Sequence, residues 1–207
     1  MTQTHDAPPV HDASPARGAH IADPGPLGLA AFGLTTFVLS FVNAGLVPEK
    51  VEPVVFGLAL AYGGGAQLLA GMWEFTKGNV FGATAFSSYG AFWISFWWLT
   101  AHLEGYKIPA DDLGKGLGLY LIAWGIFTAL MTVCATRVNP AVLTVFVLLT
   151  LTFFLLGIGD LSGTEGITKI GGYVGILTAI AAWFGSFAGV FAFTHGRQLV
   201  PSSARKG

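Results

Sequence analysis

A chain of 207 residues in which 53% are hydrophobic and only 10% charged is not a soluble domain, because soluble domains carry about 25% charged residues. A net charge of −1 leaves no basic surface for nucleic acid, and the single cysteine, Cys134, excludes an internal disulfide and a multi-cysteine metal site. The 29 glycines and 17 phenylalanines suit helices packed against one another in a lipid bilayer.

Residues 1–22 are polar, with Pro8, Pro9 and Pro15 and the histidines His5, His11 and His20. They lack the apolar core of a signal peptide and are expected to form a disordered cytoplasmic tail. The histidine spacing matches no metal motif. Six apolar segments follow near 27–46, 53–73, 81–101, 114–136, 140–158 and 171–194. Each has about 20 residues, the length that crosses a hydrocarbon core of about 30 Å. The connections are short. The expected fold is therefore an all-α membrane protein, six transmembrane helices in one compact bundle over 23–196, ending in a short cytoplasmic tail at 197–207.

The first segment opens with Asp23-Pro24-Gly25-Pro26, where Asp23 is a candidate N-cap and the prolines suit a first turn. Phe32, Thr36, Leu39 and Asn43 share one face, and Asn43 fits either a helix-end cap or a solute contact. In the second segment Gly57, Ala61 and Gly65 stand at four-residue spacing, which admits a close neighbour. Gly63-Gly64-Gly65 permits tight packing or a local break that frees backbone carbonyls. Gly63, Gln67, Gly71 and Glu74 fall at offsets 0, 4, 8 and 11, so a helix places them on one weakly polar face. Gln67 serves there as an interhelical hydrogen bond or as a path-lining amide. Glu74 forms an interfacial pair with Lys77 or takes a solute or proton role.

Thr84, Ser88, Ala91 and Ser95 make a similar row in the third segment, with Tyr89 at its border. Polar stripes in lipid must face protein or water. The two stripes are expected to line a narrow path for a small polar solute. Trp97 and Trp98 read as interfacial anchors. His102–Lys115 reads as the longest loop, with Asp111 and Asp112 solvated. Gly118 and Gly125 share a face of the fourth segment, and Asn139-Pro140 caps the start of the fifth, which is almost wholly apolar. The sixth carries two small rows, Gly171, Gly175 and Ala179, then Ala181, Gly185 and Gly189, which imply more than one neighbour, in this subunit or another.

No segment carries a charge near its middle, where ion-coupled carriers usually place one. A neutral path suits a channel-like route, or cotransport with the proton already on the solute. No catalytic set, phosphate loop or helical metal pair appears, so neither an enzyme nor a bound cofactor or metal is expected. With both termini cytoplasmic, six Lys and Arg lie inside against four outside, a small bias in favour of that orientation.

Several blocks together resemble the acetate uptake transporter family, the succinate–acetate permeases. They are Asp23–Leu29, Phe32-Gly33, Tyr62–Glu74 (YGGGAQLLAGMWE), Gly78–Trp93 (GNVFGATAFSSYGAFW) and Gly157–Asp160. The resemblance covers about residues 23–201, and Asp23 and Gly25 depart from the family's usual Asn and Ala. It implies six transmembrane helices per subunit, a homo-hexamer in the inner (plasma) membrane, and one pore in each subunit. It further implies uptake of acetate and sometimes succinate, past a gate carried over to Phe32, Tyr89 and Leu149. Polar pore-lining candidates are then Asn43, Tyr62, Gln67, Glu74, Thr84 and Ser88. An apolar ring resists a hydrated ion and admits a small methyl-bearing acid. Two other readings stand beside this one: a channel for a neutral solute such as urea or ammonia, and a non-transporting membrane sensor or scaffold whose glycine stripes serve assembly.

Overall fold

Prolines and asparagines start most of the long helices, and the left-handed glycines Gly78, Gly163 and Gly196 stop three of the helices. A computed structural model describes residues 21–201, apart from the side chains of Glu104 and Asp111. The tail histidines His5, His11 and His20 lie outside the described residues. The elements run in order as α1 (Gly25–Asn43), a 3-10 turn (Glu49–Val51), α2 (Val54–Leu60), a π-helical stretch (Ala61–Ala66), α3 (Gln67–Lys77), α4 (Val80–Tyr106), α5 (Ala110–Ala135), α6 (Pro140–Ser162) and α7 (Glu165–His195).

At the start of α4, the side-chain oxygen of Asn79 accepts the Gly82 N–H at 3.2 Å. Asn139 does the same for Val142 at 2.9 Å before α6, with Pro140 in the first turn. Asp23 acts one residue earlier than a standard cap: Pro24 holds the N-cap position of α1, and Asp23 accepts the Gly25 N–H at 3.2 Å. These bonds satisfy donors that a helix start leaves open.

Five rods are long and apolar enough to cross a membrane: α1, the composite Val54–Lys77, α5, α6 and α7. The 27-residue α4 is long enough, at about 40 Å, but its serines, threonines and tryptophans lower its hydropathy. With α4, the described residues form the expected six-rod bundle. Within it α1 packs on α7, α6 lies between α5 and α7, and α3 packs on α4, with the π-helical stretch against both α1 and α4.

Glycines set the closest approaches. A Cβ added at Gly63 would lie 2.5 Å from the Thr35 hydroxyl, and one at Gly90 2.6 Å from the Leu68 nitrogen. The expected Gly57–Ala61–Gly65 row is not a contact within the protomer: a Cβ at Gly57 meets open space and one at Gly65 only the Leu60 carbonyl at 3.5 Å. The row lies on the opposite side of the rod from the buried Val55, Ala59, Gly63 and Gln67, and both Gly57 and Ala61 are exposed. On α7, Gly171 packs on Leu156 of α6 and Gly175 on Ser40 of α1, so the two neighbours implied by its small residues are found within this chain.

The long loop expected at His102–Lys115 shrinks to Lys107–Pro109. His102 Nδ1 lies 2.7 Å from the Trp98 carbonyl and its ring stacks on Trp98 at 4.1 Å, which carries α4 past the end of its apolar stretch. The left-handed Lys107 (φ 52°) then ends the helix, and Pro109 precedes the next. Asp112 pairs with Lys115 at 3.2 Å.

The glycine contacts give a test. Gly90→Ala is expected to destabilise the folded protein by about 1–3 kcal/mol, because its new methyl meets backbone rather than a yielding side chain. Gly57→Ala, in open helical space, is expected to be neutral or stabilising. Thermal unfolding of the two purified variants in detergent measures the difference.

Candidate functional site

Three helices begin at the same end of the bundle. Gly25 and Pro26 of α1, Asn79 and Gly82 at the start of α4, and Asn139 and Ala141 at the start of α6 line a cavity of about 300 Å³. Glu74 near the end of α3, Gly185, Ala188, Gly189 and Ala192 of α7 and the segment Gln198–Pro201 complete its wall. Each helix start carries a partial positive charge equivalent to about half a proton. The cavity thus has three positive dipole ends at its edge, with their first-turn donors already partly taken by Asp23, Asn79 and Asn139.

The deeper wall of the cavity is apolar and includes Leu29, Ala85 and Phe146. One helical turn further along the same three helices stand Phe32, Tyr89 and Leu149, which are 4%, 2% and 4% exposed. The three belong to one buried cluster. The rings of Phe32 and Tyr89 meet at 6.1 Å, tilted by 56°. Trp124, Phe127 and Phe146 surround Tyr89 at 5.8 to 6.0 Å. Its hydroxyl is pinned as well. The Thr128 hydroxyl donates to the Trp124 carbonyl at 2.7 Å, which leaves the Tyr89 hydroxyl to donate to Thr128 at 2.9 Å. Ring packing and a hydrogen bond together hold Tyr89 in one rotamer.

The polar candidates are placed unequally. Gln67 is 1% exposed. Gly63 against Thr35 and Gly71 against Ser87 bracket it between α1 and α4, near the depth of Phe32. Its side-chain oxygen has no protein hydrogen-bond partner, and neither have the Ser87 hydroxyl against Gly71, the Thr36 hydroxyl and the Trp93 indole N–H, the last two each one turn beyond Phe32 and Tyr89. A buried polar atom without a partner costs about 1–3 kcal/mol. Its presence marks a place where a polar molecule can bond.

Glu74 is buried at the cavity, where one carboxylate oxygen accepts Asn79 Nδ2 at 2.9 Å. The Glu74–Lys77 ion pair considered from sequence is absent among the described contacts. Lys77 pairs instead with Asp23 at 3.2 Å. Asn43 ends α1, half-buried and far from the cavity, and Tyr62 is half-buried in the π stretch. Thr84 and Ser88 are also half-buried, while Ala91 and Ser95 in their row are exposed. The inward face of α4 carries Ala85, Tyr89 and Phe92. At the opposite end of the bundle, burial, then the nearby Glu49 and Asp160 carboxylates, raise the Glu52 carboxyl above its usual range.

Asn79 and Thr128 are not singled out by the sequence, and Trp93 stands out there only as a member of an aromatic cluster with Trp97 and Trp98. Asn79 follows Gly78 and precedes an apolar run, a start signal that could have found it. Thr128 and Trp93 carry no signal apart from their neighbours. Among the described residues no cluster of His, Cys, Asp or Glu could hold a metal ion.

Comparison with known proteins agrees with this architecture. The chain is 42% identical over 183 residues to the ammonia transport outward protein 2 of Saccharomyces cerevisiae, a match that covers 86% of this chain and 64% of that one. It is 36% identical over 183 residues to the succinate-acetate/proton symporter SatP of Escherichia coli K12, covering 87% of this chain and 95% of SatP. The chain spans less than two thirds of the length of the fungal relatives it matches first. A solved structure of the bacterial acetate channel SatP superposes with a TM-score of 0.80 at 34% identity, covering 88% of this chain and 99% of that one. The protein is a multi-pass membrane protein. The model of the GPR1/FUN34/yaaH family matches residues 6–201, and the chain belongs to that family.

Proposed function

We propose that the protein passes acetate and related short carboxylates, succinate included, through a path within each protomer. The path starts at the end cavity, goes between Phe32, Tyr89 and Leu149, and continues past the unpaired polar atoms of Gln67, Thr36 and Trp93. The observation that carries the reading is the stacking of layers: three positive helix ends around a cavity, then buried, uncharged side chains of one cluster one turn deeper on the same three helices. The helix ends of the first layer favour an anion, against the opposing Asp23 and Glu74 carboxylates in the same wall. The second admits a small solute with a methyl group and little water, and rejects a hydrated metal ion. Transport is channel-like or proton-linked. The similar SatP proteins, whose names give acetate, succinate and proton symport, support the same substrate class.

In this reading the cavity is the cytoplasmic mouth of a plasma-membrane protein. The start of α1 and the segment after α7 both border it, which puts both ends of the described chain on one side. Homo-hexameric assembly belongs to the same reading. Exposed aromatic and aliphatic side chains such as Phe187, Phe193 and Leu130 supply apolar faces for lipid or for a second subunit.

The name of the yeast relative favours a second reading, ammonia passage, which would use the same uncharged side chains. Excess unlabelled acetate, but not excess ammonium, is expected to compete with labelled acetate in liposomes containing the protein. The reverse result supports the second reading.

Protein-dependent uptake of labelled acetate into those liposomes is the primary expectation, and its absence overturns the proposal. Phe32→Leu and Tyr89→Ala are expected to change flux or the ratio of acetate to succinate transport by several-fold in protein that still assembles. Unchanged transport in both removes these residues from the path. Tyr89→Phe keeps the ring and loses one hydrogen bond, so thermal unfolding should register about 1 kcal/mol lower stability, with much smaller flux changes than Tyr89→Ala.

A further inference from the structure

The Asp23–Lys77 ion pair at the rim of the cavity is not required by the path just described. Asp23 stands before α1 and Lys77 is the last residue of α3. Lys77 Nζ lies 3.2 Å from Asp23 Oδ1, with side chains 28% and 64% exposed. The same Asp23 oxygen accepts the Gly25 N–H. A pair this exposed adds little stability. Its position at the entrance of a cavity gives its charges another effect, because charges at a cleft act on the approach of a charged solute.

The rim is awkward for a carboxylate. Two acids, Asp23 and Glu74, line the cavity. Glu74 is bonded to the neutral amide of Asn79 and lies within electrostatic reach of both Asp23 and Lys77, while Asp23 is the acid in direct contact with the Lys77 ammonium group. Arg137 and Arg197 stand next in sequence to the lining residues Val138 and Gln198, so the end of the bundle carries other positive charge. The Asp23–Lys77 pair differs in that its two members pull a carboxylate in opposite directions from one spot at the rim.

We propose that Asp23 and Lys77 set the apparent affinity of this mouth for carboxylates and its preference between singly and doubly charged ones. Lys77 draws the anion to the rim and Asp23 offsets that pull. Coulomb energy scales with the charge of the solute, so the pair acts more strongly on succinate than on acetate. The proposal rests on the reading that a carboxylate crosses this mouth.

Charge-selective substitution separates this role from a merely structural one. Asp23→Asn keeps an oxygen for the Gly25 N–H and frees Lys77. Lys77→Gln keeps most of the stem and leaves Asp23 unmatched. Initial rates are measured in right-side-out and in everted vesicles, with labelled acetate as substrate and succinate as substrate or competitor. From the side on which the cavity opens, Asp23→Asn is expected to lower the acetate KM about two- to fivefold and Lys77→Gln to raise it about two- to fivefold. The double variant should fall between them. The shifts should be larger for succinate and shrink as salt is raised to about 0.5 M. A purely structural latch, broken from either end, would move both single variants the same way regardless of solute charge or salt. Wild-type transport with shifts in one direction, or with none, overturns this inference alone. Absence of wild-type acetate transport overturns the functional reading as well.

Discussion

A polar atom inside a membrane protein must find a partner within the protein or turn toward water, because hydrocarbon offers none. That constraint orders the bundle. The helix starts of α1, α4 and α6 meet their needs with Asp23, Asn79 and Asn139 at the cavity end. Glu74 meets its need with Asn79 in the same place. Deeper in the bundle the side chains become apolar at Phe32, Tyr89 and Leu149, and the buried unpaired atoms of Gln67, Ser87, Thr36 and Trp93 lie near or beyond them. The result is a sequence of environments along three helices that start together, and the proposed function follows from that sequence.

Backbone contacts set the lateral dimensions. Gly63 lets the π-helical stretch approach Thr35 of α1, and Gly90 lets α4 approach Leu68 of α3. These approaches bring α1 and α4 near enough for Phe32 and Tyr89 to meet ring to ring. The hydrogen bond from Tyr89 to Thr128, which itself donates to Trp124, links α4 to α5 although their backbones barely touch. Aromatic side chains fill the space between those two helices, with Phe92 against Tyr120 and Trp124 at 5.8 and 5.2 Å.

The bundle was legible in the sequence because membrane thickness imposes segment length. The Asn139 cap was legible because a short polar side chain before proline has few other uses. Helix ends beyond the membrane were not: α4 continues through His102 while its hydropathy falls, since apolar content reports membrane crossing and not helix termination. The weakly polar row on α4 shows a second limit. A serine or threonine hydroxyl can bond to its own helix, as Ser95 does to the Phe92 carbonyl at 2.9 Å while also meeting the Tyr120 hydroxyl of α5 at 2.6 Å, so such a row need not face the cavity. A longer amide side chain reaches away from its own helix, and Gln67 is buried between α1 and α4 with its side-chain oxygen unpaired within the protein. Phe32, Tyr89 and Leu149 were indicated only by family resemblance, since aromatic and aliphatic residues at helical spacing look like ordinary core.

The central claim is that an anion's route runs inside the protomer, between uncharged side chains. A crystal structure with bromoacetate, in which bromine is located by its anomalous scattering, tests it most directly. A bromine peak is expected inside the protomer, between the end cavity and the Phe32–Tyr89 pair or just beyond it near Gln67. Peaks confined to the junctions between protomers or to the lipid-facing surface would contradict the claim.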